Sequence, residues 1–176
     1  MRLRKILSIL TIAIVLQSFQ LPKNIQKKVD KEIKMAFEVE VFSLVSIKVS
    51  DEINKQLSTK ITEENFYKII HKNNVLGYAF VDKAPSKTDQ FDYVVLLDAN
   101  LIIKKTKVLV YREDYGGEIG SKRWLKQFIG KTTKSSLRYR KDIAAISGAT
   151  ISANSMTIAV NKVLQTIGKL HQKKII

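Results

Sequence analysis

The sequence predicts an α+β fold: a mainly antiparallel sheet packed by helices, preceded by an N-terminal signal or anchor segment. Three observations carry this. Runs rich in β-branched and aromatic residues come in pairs joined by turn formers, Phe66–His71 with Val75–Val81 and Phe91–Leu97 with Leu101–Tyr111. Apolar residues recur at helical spacing near both ends of the chain. A basic flank followed by a short apolar run opens it. The expected organisation is a signal peptide or membrane anchor over residues 1–22 and a single domain over 23–176. No internal repeat or low-complexity segment suggests a second one.

Met1 to Lys5 carries Arg2, Arg4 and Lys5, and Ile6 to Leu16 is apolar throughout apart from Ser8 and Thr11. That run is too short for an ordinary transmembrane helix and suits the core of an export signal. No small-x-small cleavage site stands out near Ser18, so the segment is read either as cut or as kept as a short anchor. A buried N-terminal helix is the other reading of the same residues. Pro22 breaks the chain, and Asn24 is placed to cap a helix with an apolar stripe of Ile25, Val29, Ile33 and Phe37. The opposite face, Lys27, Lys28, Lys31 and Lys34, is either solvated or laid against anionic lipid.

Val39 to Val49 reads as a strand or as a helix–strand junction, and Asp51 to Leu57 as one or two helical turns. Lys72-Asn73-Asn74 is a hairpin turn, because Asn tolerates left-handed backbone. Pro85, Ser86 and Asp89 mark Asp82 to Gln90 as a loop. Asp98-Ala99-Asn100 turns the second hairpin, with Lys104, Lys105 and Lys107 on its wet side or guarding an edge. Ser121 can cap a short helix that ends at Gly130 and presents Trp124, Leu125, Phe128 and Ile129 as an apolar face. These four are read as core, although Trp124 could also stack on a flat ligand.

Composition removes several functions. There is no Cys, so disulfides, iron–sulfur clusters and thiol chemistry are out. The two histidines, His71 and His171, have no metal-ligand spacing, and His71 reads as a strand residue. No Gly-x-Ser-x-Gly elbow points to hydrolysis. The formal net charge of +15 favours an anionic membrane surface or an acidic partner, or reflects solvated lysines alone. No nucleic-acid partner is expected, since the basic residues are scattered and lack interleaved aromatics.

The chemistry concentrates in Ile146-Ser147-Gly148-Ala149-Thr150-Ile151-Ser152, which leads into a helix striped with Met156, Val160, Val163, Leu164, Ile167 and Leu170. Gly148 allows close backbone approach, three hydroxyls cluster, and a helix start offers free N–H groups and a positive dipole end. This suits a phosphate. The plain alternative is an N-cap by Thr150 or Ser152 with no ligand. Earlier, Glu113 to Gly120 holds three glycines and three acids directly after a long strand, either a surface loop or the wall of a site.

Ser147-Gly148-Ala149-Thr150 resembles the flavinylation motif of the FMN-binding domain family, whose members include extracytoplasmic subunits of sodium-pumping NADH:quinone reductases and Rnf-type complexes. Tyr111 to Ile119 and Trp124 to Lys131 are similar to the Glu- and Gly-containing loop and the Leu-x-Gln-Phe-x-Gly-Lys helix of the same family. The resemblance runs from about Tyr67 to Leu170. It implies an extracytoplasmic FMN-binding electron-transfer protein, an electron carrier or redox subunit more than a stand-alone enzyme. FMN would be joined through a phosphoester at Thr150, with Ser147, Gly148, Ala149, Ser152, Glu113, Tyr115 and Gly116 around it. An FMN transferase and a membrane redox partner are implied with it. Family members commonly have Asp at the position of Ala144, in the sequence that the transferase reads, and the nearest acid here is Asp142. That departure bears on covalent attachment more than on fold or FMN binding. The alternative is a cofactor-free basic binding module of the same fold on the outer membrane face.

The leader carries the localisation. A reporter active only in the cytoplasm, fused after Lys23, should be silent. Strong reporter activity would remove the expectation that the domain lies in the periplasm or on the outer face of the cytoplasmic membrane.

Overall fold

In the computed structural model, which describes residues 21–176, five strands form one antiparallel sheet in the order of the chain, β1-β2-β3-β4-β5. They are β1 Ser43–Ser46, β2 Phe66–His71, β3 Asn74–Pro85, β4 Gln90–Asp98 and β5 Ile103–Val110. Helix α1, Lys23–Phe37, covers one face, and α4, Thr150–Gln172, covers the other. Two short helices, α2 Asp51–Asn54 and α3 Lys122–Leu125, lie between them in sequence. The α+β class holds. Residues 1–20 of the expected export segment lie outside the described residues, and Leu21 is buried at the foot of α1.

The sheet is apolar on both faces because both are covered. In β4, Phe91, Tyr93, Val95 and Leu97 face α4, while Val94 and Leu96 face α1. Residues two apart share a face of a strand, so Phe-Asp-Tyr-Val-Val-Leu-Leu loses the polar alternation of a one-sided sheet. Val29 and Ile33 of α1 are fully buried on one side. Met156, Val160, Val163, Leu164, Ile167 and Leu170 of α4 are fully buried on the other. A row of aromatic rings crosses the α4 face from Tyr78 through Phe66, Phe80, Tyr93 and Phe91 to Tyr111, with neighbouring centroids 5.9–6.4 Å apart. Such spacing lies within the attractive range for tilted rings.

Turn chemistry explains most boundaries. Lys72 and Asn73 have φ of +47° and +64°, the left-handed pair that closes a two-residue hairpin between β2 and β3. Asp98 Oδ1 accepts from the N–H groups of Asn100 and Ile102, both at 2.9 Å, and holds the β4–β5 turn. The expected loop over Asp82 to Gln90 is not a loop. β3 runs on to Pro85 and pairs through Asp82↔Tyr93 and Lys83↔Asp92, and only Ser86 to Asp89 turn, closed by Ser86 N–H to Asp89 O at 2.8 Å. Pro85 is tolerated because it ends its strand, where a missing N–H costs least.

Other expectations need correction. Asn24 does not cap α1. The helix begins at Lys23 with Pro22 in the cap position, whose carbonyl accepts from Ile25 and Gln26. The lysine face of α1 is partly engaged: Lys28 donates to Leu109 O at 2.7 Å, and Lys34 pairs with Glu40 at 3.1 Å. Between Val39 and Val49 only Ser43–Ser46 is strand. Ser121 does cap α3, accepting from Trp124 N, and Trp124, Leu125 and Phe128 are buried, but Ile129 is 52% exposed.

Because the layers are independent, each should contribute separately. Ile33→Ala and Ile167→Ala should each cost about 2–5 kcal/mol, as deletion of a fully buried aliphatic does. Lying on opposite faces, their costs should add to within about 0.5 kcal/mol in denaturant unfolding. A negligible cost for either would contradict the three-layer packing.

Candidate functional site

The site forms where the exit of β5 meets the start of α4. Past Val110, alternate residues turn to opposite sides. Arg112 reaches across to pair with the buried Asp92 of β4, while Tyr111 and Glu113 lie toward α4. Tyr111 Oη lies 3.1 Å from Ser152 Oγ in the first turn of α4. Gly116 then sits at φ +82°, and a Cβ there would come within 2.9 Å of Ala149 Cβ, 3.0 Å of Gly148 O and 3.1 Å of Tyr111 Oη. Only a residue without a side chain lets the loop press onto the Gly148–Ala149 turn in that conformation.

A second brace holds the stretch before the helix. Trp124 Nε1 donates to Ala144 O at 2.7 Å, and Ala144 N–H donates to Gln127 Oε1 at 2.8 Å. The segment Trp124 to Phe128 therefore fixes the backbone that carries Ser147 to Thr150. Trp124 packs edge-on against Phe128 at 5.4 Å and does not line the cleft, so of its two readings the core one holds. Asp142, the acid nearest to Ala144, is engaged in an ion pair. Arg138 binds it through N–H and Nε at 2.9 and 2.8 Å and holds its carboxyl below the usual carboxylate range.

These elements enclose an open cleft of about 460 Å³ lined by Tyr111, Glu113, Asp114 and Tyr115 on one side. Gly148 to Ser152 form the other side, with Lys87 and Thr88 of the β3–β4 turn at the rim. Its volume falls within the roughly 300–1,000 Å³ of small-molecule sites. α4 is 23 residues long, and its first helical bond is Ala153 N–H to Ala149 O. The N–H groups of Thr150, Ile151 and Ser152 thus precede the helical ladder at the positive end of the dipole. Ala149 occupies the cap position with no side-chain bond, so neither Thr150 nor Ser152 is the N-cap. The Thr150 side chain is exposed at the cleft, whereas Ser152 is buried with Tyr111 as its partner.

Of the residues singled out in the sequence, Thr150, Gly148, Ala149, Ser152, Glu113 and Tyr115 line this cleft. Ser147 is exposed outside it, and Gly116 supports it from behind. Glu113 is engaged in its own structure. Its carboxylate accepts from Thr88 N–H at 2.7 Å, Thr88 Oγ1 at 2.8 Å and Asp89 N–H at 3.3 Å. Sequence reasoning missed Lys87 and Thr88 and named Tyr111, Asp114 and Ile151 only as parts of motifs. Lys87 and Thr88 became visible only once Asp82 to Gln90 proved to be a tight hairpin.

The chain's own residues fit a flavin mononucleotide. Two tyrosines and Ile151 offer surface to a flat ring, while Lys87, the free N–H groups and the Thr150 hydroxyl offer a phosphate its partners. Residues 86–165 match the family model of the FMN-binding domain. Over these residues the chain carries the pattern of that domain. The match starts later than Tyr67, at the β3–β4 turn, and runs into α4, so it takes in every residue of the cleft. FMN is the cofactor it indicates. No curated protein matches the chain.

Within the matched region, Glu113 ties the β3–β4 turn to the β5 exit. Ser86, Thr88 and Asp89 hold its carboxyl down to about 2. The well-formed bonds are those of Thr88, because Ser86 Oγ is buried without a partner of good geometry. A depressed carboxyl stabilises the fold above its unfolded value near 4.5 and loses that contribution as pH falls through about 2. Glu113→Gln should therefore weaken FMN binding at neutral pH by loosening Lys87 and Thr88. It should also flatten the fall in melting temperature between about pH 4.5 and 2. An unchanged slope in the variant would show that the carboxylate does not hold the turn.

Proposed function

We propose that the protein is an extracytoplasmic electron-transfer protein whose FMN is held, and covalently joined, at Thr150. The observation that carries the proposal is the position of Thr150. It is the exposed first residue of α4, inside the cleft and beside N–H groups that no helical carbonyl takes up. A phosphate seated there is already favoured electrostatically, and transfer of FMN from a flavin dinucleotide to the Thr150 hydroxyl, with the phosphoanhydride broken, the nucleoside monophosphate leaving and the hydroxyl proton released, would make it permanent. Bound FMN would supply one- and two-electron chemistry. The protein would fix its orientation, with Tyr111 and Tyr115 against the ring and Lys87 as the nearby cation.

The proposed location rests on the basic flank and apolar run of Met1 to Leu16. Among the described residues no helix is long and apolar enough to cross a membrane. A donor in the membrane and an acceptor outside it complete the reading. The cofactor-free module has less support, because the cleft and the FMN-binding domain coincide.

Covalent attachment requires a transferase to recognise the turn. Ala144 is exposed, and its backbone is held by Trp124 and Gln127, so a carboxylate can be placed there without disturbing the fold. Co-expressed with a competent FMN transferase, wild type should carry flavin that survives denaturing electrophoresis and mass spectrometry on the peptide containing Thr150. Thr150→Ala should abolish that signal, and Ala144→Asp should raise the covalent fraction. Flavin retained covalently by Thr150→Ala would shift the assignment to Ser147. A wild type without flavin that also fails to bind added FMN would defeat the proposal.

A further inference from the structure

A second concavity, sharing no residue with the flavin cleft, lies between the C-terminal half of α1 and the α3 segment, over β5. Its volume is about 610 Å³. Six basic side chains line it, Lys104, Lys105 and Lys107 from β5 and Lys122, Arg123 and Lys126 from the α3 segment. One carboxylate faces them, Glu32, and Lys105 already neutralises it at 2.6 Å. Lys104 lies over the Phe37 ring at 5.7 Å. The remaining four, Lys107, Lys122, Arg123 and Lys126, have no carboxylate partner among the described residues. Between the cations the surface is apolar, with Met35 and Ile129 each 52% exposed and Leu125 beneath.

We propose that this groove docks an acidic segment of a partner protein, with carboxylates meeting the cations of β5 and the α3 segment and one or two apolar side chains against Met35, Leu125 and Ile129. Charge complementarity carries the choice of occupant. Like charges held together along a groove repel, and an opposing row of carboxylates relieves that repulsion and steers encounter. Five of the six cations are lysines, whose mobile point charges suit carboxylates at varied positions better than planar, bidentate phosphates. The groove is concave, so a flat lipid headgroup plane would reach its rims and leave Leu125 and Ala36 untouched. No aromatic side chain lines it to stack a base. The proposal does not depend on flavin at the other site.

The test uses the full chain and a fluorescein-labelled peptide of repeating Glu-Leu-Glu, followed by anisotropy at low and raised salt. Binding should occur and weaken with salt, and a Lys-Leu-Lys peptide should not bind. The triple variant Lys107→Glu, Arg123→Glu, Lys126→Glu should lose about tenfold or more in affinity. The variant Lys23→Glu, Lys27→Glu, Lys31→Glu carries the same change in net charge on exposed α1 positions outside the groove, and it should lose much less. Ile129→Ser should weaken binding without altering the salt slope, a readout of the apolar floor. Equal losses in the two triple variants would reduce the effect to net charge and overturn the proposal. Absence of peptide binding, no effect of Ile129→Ser, or tighter groove-dependent binding to phosphatidylglycerol vesicles than to the peptide would each overturn it as well.

Discussion

The contact between Gly116 and the Gly148–Ala149 turn is the constraint on which the site depends. It joins two stretches more than thirty residues apart at a separation that admits no side chain. Without it the β5 exit loop would stand off α4, Tyr111 would lose its reach to Ser152, and the cleft would open to one side. Gly148, at φ +78°, allows the chain to turn from the braced Ala144 segment into the helix. Thr150, two residues on, is thereby set at the head of α4 among the residues that line the cleft.

The rest of the fold supplies the rigidity for that contact. One face of α4 is buried from Ser152 to Leu170, so its N-terminus has little freedom to move away from β5. The β5 exit is fixed on its other side by Arg112 and Asp92, and through Glu113 it is fixed to the β3–β4 turn. α3 acts as a strut, bonding the backbone at Ala144 through Trp124 and Gln127. The two motifs recognisable in the sequence, the Glu- and Gly-containing loop with its short helix and the Ser-Gly-Ala-Thr turn, are thus one physical unit. The first holds the second in place.

Much of this was legible in the chain itself. The apolar stripes of α1 and α4 and the Asn- and Asp-based turns gave the helices and hairpins, because their signals are local. Gly148 and Thr150 stood out through the Ser-Gly-Ala-Thr resemblance, since a hydroxyl before a helix is equally the mark of a plain N-cap. What was hidden required knowledge of partners distant in sequence. Asn24 has the chemistry of a cap, but Pro22 precedes it with a carbonyl already suited to the role. Pro85, Ser86 and Asp89 each favour a loop, yet pairing of β3 with β4 confines the turn to the residues after Pro85. Glu113 looked like a ligand contact, and only the position of Thr88 reveals that its oxygens are already occupied. The basic groove was invisible as well, since Lys104 to Lys107 and Lys122 to Lys126 are ordinary charge runs until β5 and α3 lie side by side.

The central claim is that the cleft between the Gly116 loop and the head of α4 holds FMN, and the most direct measurement is a titration of free FMN by flavin fluorescence against two folded proteins, wild type and Gly116→Val. The variant places a branched side chain against Ala149, Gly148 and Tyr111 while leaving every polar group of the cleft in the chain. Saturable quenching by wild type, with affinity reduced about tenfold or more in a variant that keeps its far-ultraviolet circular dichroism, is the predicted result. Equal binding by both proteins would place the flavin elsewhere and contradict the account.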